Sequence, residues 1–96
     1  MRYRVTVPEQ VLTLIPKLAR VKSVNSREGF QGAAINFFYR HLATAKLDEK
    51  TYSFEIALEG ALREERTFQI TFLSTPRGCA LVSVYDIEPM EPWGGL

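Results

Sequence analysis

An α+β fold, with helices packed on one face of an antiparallel sheet, is predicted by three features of this 96-residue sequence. Thr51–Glu59 places Tyr52, Phe54, Ile56 and Leu58 on one side and Thr51, Ser53, Glu55, Ala57 and Glu59 on the other. Residues 66–74 set Phe68, Ile70 and Phe72 against Thr67, Gln69 and Thr71, and residues 80–88 continue with apolar side chains on both faces. Upstream, the apolar spacing lengthens to that of helices. Strand side chains alternate with a period of two, so the last third of the chain reads as a three-stranded meander with one buried face.

The first element is a strand over residues 2–7, in which Tyr3, Val5 and Val7 alternate with Arg2, Arg4 and Thr6. A helix over residues 8–20 follows. Pro8 suits a first helical turn, Glu9 meets the positive end of the dipole, and Thr6 to Glu9 has capping-box spacing. Its apolar stripe is Val11, Leu12, Leu14, Ile15, Leu18 and Ala19, with Lys17 and Arg20 outside. Pro16 removes the bond to the Leu12 carbonyl and disfavours helical geometry at Ile15. The helix therefore either kinks there or ends near Ile15, with a second short turn starting at Pro16.

Residues 22–29, rich in Ser, Asn and Gly, read as a loop. Residues 30–47 admit two readings. With helical spacing, Ala34, Ile35, Phe38, Leu42 and Ala45 line one face; as a strand, Ile35, Phe37 and Tyr39 oppose Asn36, Phe38 and Arg40. Length and the run Leu42-Ala43-Thr44-Ala45-Lys46-Leu47 favour a second helix, over residues 32–46. Asp48-Glu49-Lys50 is a polar turn, and residues 60–65 close the first hairpin of the meander. Thr75-Pro76-Arg77-Gly78 fits a type I turn, and Pro89 ends the last strand because it cannot donate to the ladder. One domain over residues 1–89 is expected, followed by a tail over 90–96 that carries Trp93.

The composition bounds the function. No stretch approaches the roughly 20 apolar residues of a membrane span. The start, Met1-Arg2-Tyr3-Arg4, has no apolar leader core, and Cys79 is the sole cysteine. A cytoplasmic setting with no membrane contact is the expectation. Charge is unevenly divided. Arg2, Arg4, Lys17, Arg20, Lys22, Arg27, Arg40, Lys46 and Lys50 outweigh the acids of residues 1–50, whereas Glu55, Glu59, Glu64, Glu65, Asp86, Glu88 and Glu91 outweigh the bases of residues 51–96. Such a split marks a basic contact surface, two halves that attract each other, or charges interleaved by folding.

No reactive constellation emerges. His41, the only histidine, has Arg40 and Leu42 beside it and no carboxylate partner in sequence, so it reads as a solvated or partly capping residue. Cys79 reads as a small packing residue. One His and one Cys do not make a zinc set, no acidic spacing resembles a calcium loop, and no phosphate-binding glycine motif is present. Gly29-Phe30-Gln31-Gly32 reads as a flexible entry to the second helix. No catalytic residue, metal or cofactor is expected.

The order strand, helix, helix, three strands is similar to the layout of RelE/ParE-type toxins. That resemblance implies RNA-directed activity through basic residues and a tyrosine on the late strands. Arg63, Arg66, Arg77 and Tyr85 stand in those places, with Glu64, Glu65, Asp86 and Glu88 among them to repel RNA. Were residues 30–47 a strand, the layout would be similar to a cystatin, without that family's Gln-x-Val-x-Gly loop.

The leading expectation is a small non-enzymatic protein-interaction module: a regulator, inhibitor or assembly factor. Its candidate partner-binding residues are Trp93, Tyr39, Arg40, Arg63, Arg66, Arg77 and Tyr85. Homodimerisation through the sheet is expected because the last strand is apolar on both faces, with Leu81, Tyr85 and Ile87 opposite Val82 and Val84. The alternative is a RelE/ParE-like RNA-directed toxin or RNA-binding protein, with Arg2, Arg4, Lys17, Arg20 and Lys22 against phosphate.

Overall fold

The computed structural model describes residues 1–87. Trp93, Pro89, Glu88 and the tail over residues 90–96 lie outside the described residues. Five strands form one fully antiparallel sheet: β1 (Arg2–Thr6), β2 (Ser23–Asn25), β3 (Thr51–Glu59), β4 (Glu65–Thr75) and β5 (Gly78–Asp86), in the order β2-β1-β3-β4-β5. Helix α1 (Glu9–Leu14), a 3-10 turn (Pro16–Arg20), helix α2 (Gly29–Phe37) and a π turn (Phe38–Leu42) supply the helical cover. The α+β class and the meander are as the sequence predicts.

The core follows from the alternation. Tyr3 and Val5 of β1, Val24 of β2, Tyr52, Ile56 and Leu58 of β3, and Phe68, Ile70 and Phe72 of β4 are buried. They meet Val11, Ile15, Leu18, Ala33, Ala34, Phe37, Phe38 and Leu42 of the helical layer in one contiguous cluster. Phe72 is the centre of an aromatic group, with ring centroids 5.6 Å from Phe38, 5.7 Å from Tyr52 and 5.6 Å from Phe54. Offset and tilted rings at such distances add to the area that they bury.

Several elements differ from the expectation. Pro16 ends α1 at Leu14 and opens a separate 3-10 turn, the second of the two outcomes its chemistry allows. The Thr6–Glu9 capping box is not formed; Thr6 stays in β1 and Pro8 takes the N-cap position with no side-chain hydrogen bond. Residues 22–29 are not wholly loop. Ser23, Val24 and Asn25 pair with Arg4, Tyr3 and Arg2 and make a fifth strand. The strand intervenes between the two helical regions, so the layout behind the two resemblances is changed.

Of residues 30–47 the first part is helix and not strand, but the helix runs from Gly29 and closes in the π turn at Leu42 rather than spanning 32–46. The Ala43 N–H bonds to the Phe38 carbonyl at 2.9 Å, five residues back. An added Cβ on Gly32 would collide with Glu28 and Ser26, so only glycine lets the first turn of α2 nest against the preceding loop. After the π turn the chain crosses the end of the sheet. Cys79 N–H bonds to the Ala43 carbonyl at 2.8 Å, Ser74 Oγ to the Leu47 carbonyl at 3.1 Å, and Ser74 N–H to the Lys50 carbonyl at 3.0 Å.

β3 has its expected bounds, β4 gains a residue at each end, and β5 is shifted, starting at Gly78 and ending at Asp86 rather than spanning 80–88. In β5 the register shifts: Thr71 pairs with Ser83 and Phe72 with Leu81, leaving Val82 as an extra, bulged residue. The bulge reverses the alternation. Leu81 and Val84 both pair with residues of the buried face, whereas Tyr85 pairs with Gln69 on the open face. Leu81 and Tyr85 therefore do not share a side.

Candidate interaction surfaces

Two surfaces emerge, one at each margin of the sheet. At the β5 margin an edge strand of nine residues lies beyond β4. Its first part is covered where Ala43 accepts the Cys79 N–H. Beyond that point Ile87 N–H bonds to the Thr67 carbonyl at 2.9 Å, which sets the phase of the ladder. Tyr85, two residues back, also faces β4, so Val84 turns its N–H and C=O outward. Val82 is 61% exposed, Tyr85 63% and Leu73 42%, with the polar pair Thr71 and Ser83 between Tyr85 and Leu73. From Gly78 to Tyr85 the strand carries no charged residue.

The other margin is basic. The 3-10 turn delivers Lys17 and Arg20, the chain entering β2 delivers Lys22 and Ser23, and the π turn delivers His41. Together with Val21 these residues line a groove of about 430 Å³ that has no acidic side chain in its walls. His41 is half-buried against the Phe37 ring, with centroids 5.4 Å apart. Burial, then the positive charges of Arg40 and Lys17, hold its pKa below the ordinary histidine value.

A second cleft, of about 690 Å³, opens two residues along β2 and is lined by Met1, Asn25, Arg27, Glu28, Asn36 and Tyr39, among others. Tyr39 is 60% exposed there. Asn36 Nδ2 donates to the Asn25 carbonyl at 2.6 Å and joins α2 to β2.

The residues singled out in the sequence divide between these places. Lys17, Arg20 and Lys22 converge; Arg2 and Arg4 stand on the open face of β1, where Arg4 pairs with Glu59 at 3.5 Å. Tyr39 and Arg40 belong to the π turn beside the basic groove. Tyr85 lies on the β5 margin. Arg63 and Arg77 sit in the loops at opposite ends of β4, whose 11 residues span roughly 35 Å. Arg66 points into the helical layer instead. It pairs with Asp86 at 3.5 Å and its guanidinium lies 5.8 Å from the Phe30 ring centroid. Its Nε is buried with no hydrogen-bond partner among the described residues.

His41 and Cys79 occupy different places. Cys79 Sγ contacts the Ala45 carbonyl at 3.5 Å, while His41 lines the basic groove. Among the described residues no three His, Cys, Asp or Glu side chains are grouped to hold a metal ion, and no helix is long and apolar enough to cross a membrane. Sequence reasoning did not foresee His41 in the basic groove, the bond from Asn36 to Asn25, or the bulge at Val82. Val82 itself was read there as part of a strand apolar on both faces.

No family model, curated protein or solved structure matches the chain.

Proposed function

We propose that the chain is a small, cytoplasmic, non-enzymatic protein-interaction module, a regulator, inhibitor or assembly factor, that works as a homodimer joined through β5. The observation that carries this reading is the edge strand, uncharged from Gly78 to Tyr85, with exposed Val82 and Tyr85 and an outward-facing Val84 backbone. Soluble proteins ordinarily blunt such edges with lysine, proline or strong bulges. Here the bulge at Val82 is the one such device in the strand, and it adds an exposed apolar side chain.

A second copy is the fitting occupant. Antiparallel pairing about a two-fold axis places β5 against itself, and like charges opposite each other would oppose that pairing. Gly78–Tyr85 has none. The paired edges would also bring the exposed Val82 and Tyr85 side chains of the two copies close together. Sedimentation velocity at micromolar concentration tests the reading. A dimer that Val82→Lys converts to a folded monomer supports it; a wild-type chain that sediments only as a monomer overturns it.

A further inference from the structure

We propose that the β2 margin binds single-stranded nucleic acid, with phosphates held in the groove of Lys17, Arg20, Lys22 and His41 and a base stacked on Tyr39. The proposal is independent of the β5 contact, which lies at the other margin of the sheet.

The fold gathers charge that the sequence leaves scattered. Lys17 and Arg20 precede β2, Lys22 enters it, and His41 comes from the π turn, yet all four line one groove. Arg40 acts on His41 from the same turn, and Arg27 continues the cationic line into the neighbouring cleft. Glu28 is the one acidic residue lining either cleft. Phosphate chains need clustered cations and little else, so affinity follows from this arrangement.

One feature favours a nucleotide strand over other polyanions: an exposed aromatic ring in the cleft next to the cations. Ser23 of one cleft and Asn25 of the next are two strand residues apart, roughly 7 Å. The neighbouring cleft holds the exposed Tyr39 ring as a stacking platform and the Asn25 and Asn36 side chains as amides for a base edge. A basic track beside an aromatic is the arrangement by which proteins hold unpaired strands without sequence preference. A bound phosphate would also relieve the repulsion that Arg40 and Lys17 impose on His41, so binding should tighten as pH falls.

Fluorescence anisotropy of the intact chain with a labelled oligouridine tests the proposal, using poly-glutamate and anionic phospholipid vesicles as competitors. Three phosphate contacts give a slope of about −2 in log affinity against log salt. Lys17→Ala with Lys22→Ala should reduce that slope to about −0.7. Lys46→Ala with Lys50→Ala removes as much charge elsewhere and should leave it unchanged. Tyr39→Ala should weaken oligouridine about tenfold and leave poly-glutamate unaffected. Circular dichroism confirms that each variant folds. The proposal is overturned if oligouridine does not bind at low salt, or if the two double variants lose affinity equally. Competition by poly-glutamate or vesicles as strong as by unlabelled oligouridine also overturns it.

Discussion

Asn36 donates its side-chain amide to the carbonyl of Asn25 at 2.6 Å, fastening α2 to the edge strand β2. The consequence reaches across the sheet. Ser26 N–H bonds to the Met1 carbonyl and Val5 N–H to the Lys22 carbonyl, so the Asn25 carbonyl between them faces away from β1. Asn36 occupies that outward acceptor. A strand added at the short β2 edge would have to displace this bond, whereas the Val84 backbone groups of β5 carry no such cap. Asn36→Ala is expected to lower stability by about 1 kcal/mol, measured by urea unfolding, because a strand-edge hydrogen bond is lost.

Phe72 should be the most costly single truncation among the aromatics. It is fully buried and its ring meets Phe38, Tyr52 and Phe54. Phe72→Ala is expected to cost about 3–5 kcal/mol in urea unfolding, since the rings around it cannot all collapse into the space. Phe72→Leu, which retains much of the volume, should cost clearly less.

Gly78 combines two constraints. Its φ is +130°, a region that side chains rarely adopt, and a Cβ there would lie 2.6 Å from the Ala43 carbonyl oxygen. Gly78→Ala is expected to destabilise the chain by ~2 kcal/mol or more and to loosen the 2.8 Å bond from Cys79 N–H to Ala43. Thermal unfolding and amide exchange at Cys79 read the two effects separately.

His41 makes stability depend on pH in one direction. Its pKa is lowered in the folded chain by burial, then by Arg40 and Lys17; Lys22 and Arg20 share the groove. Above the unfolded pKa of about 6.5 both states are neutral there and nothing changes with pH. As pH falls through that value the unfolded chain takes up the proton first, so stability declines until the folded pKa is passed. His41→Gln should flatten that part of the profile, and added salt should weaken it. Chemical denaturation across pH 5–8 measures the difference.

What was legible in the sequence tracks how much each element differs between its faces. β3 and β4 announce themselves because Tyr52 through Leu58 and Phe68 through Phe72 keep strict alternation over a half-buried sheet. β2 does not, because a strand of Ser23, Val24 and Asn25 holds a single apolar residue and no period can be read from it. Missing β2 also left His41 apart from Lys17, Arg20 and Lys22, which the sequence already grouped against phosphate; the return of the chain at Lys22 and Ser23 brings them together. The bulge at Val82 shifts the alternation without changing composition, so Leu81 was placed with Tyr85 although the fold separates them. The π turn is equally silent: ordinary helical spacing already sets Phe38 and Leu42 on one face, so the one-residue expansion leaves no mark on the apolar pattern.

The β5 contact is tested most directly by hydrogen exchange at the Val84 amide, which faces outward in a single chain. Pairing of two β5 strands predicts protection of this amide that fades on dilution and is lost in Val82→Lys, while Tyr85, bonded within the sheet, stays protected throughout. Exchange at Val84 as fast as at Leu62, which is exposed in the β3–β4 loop, at every concentration would contradict the account.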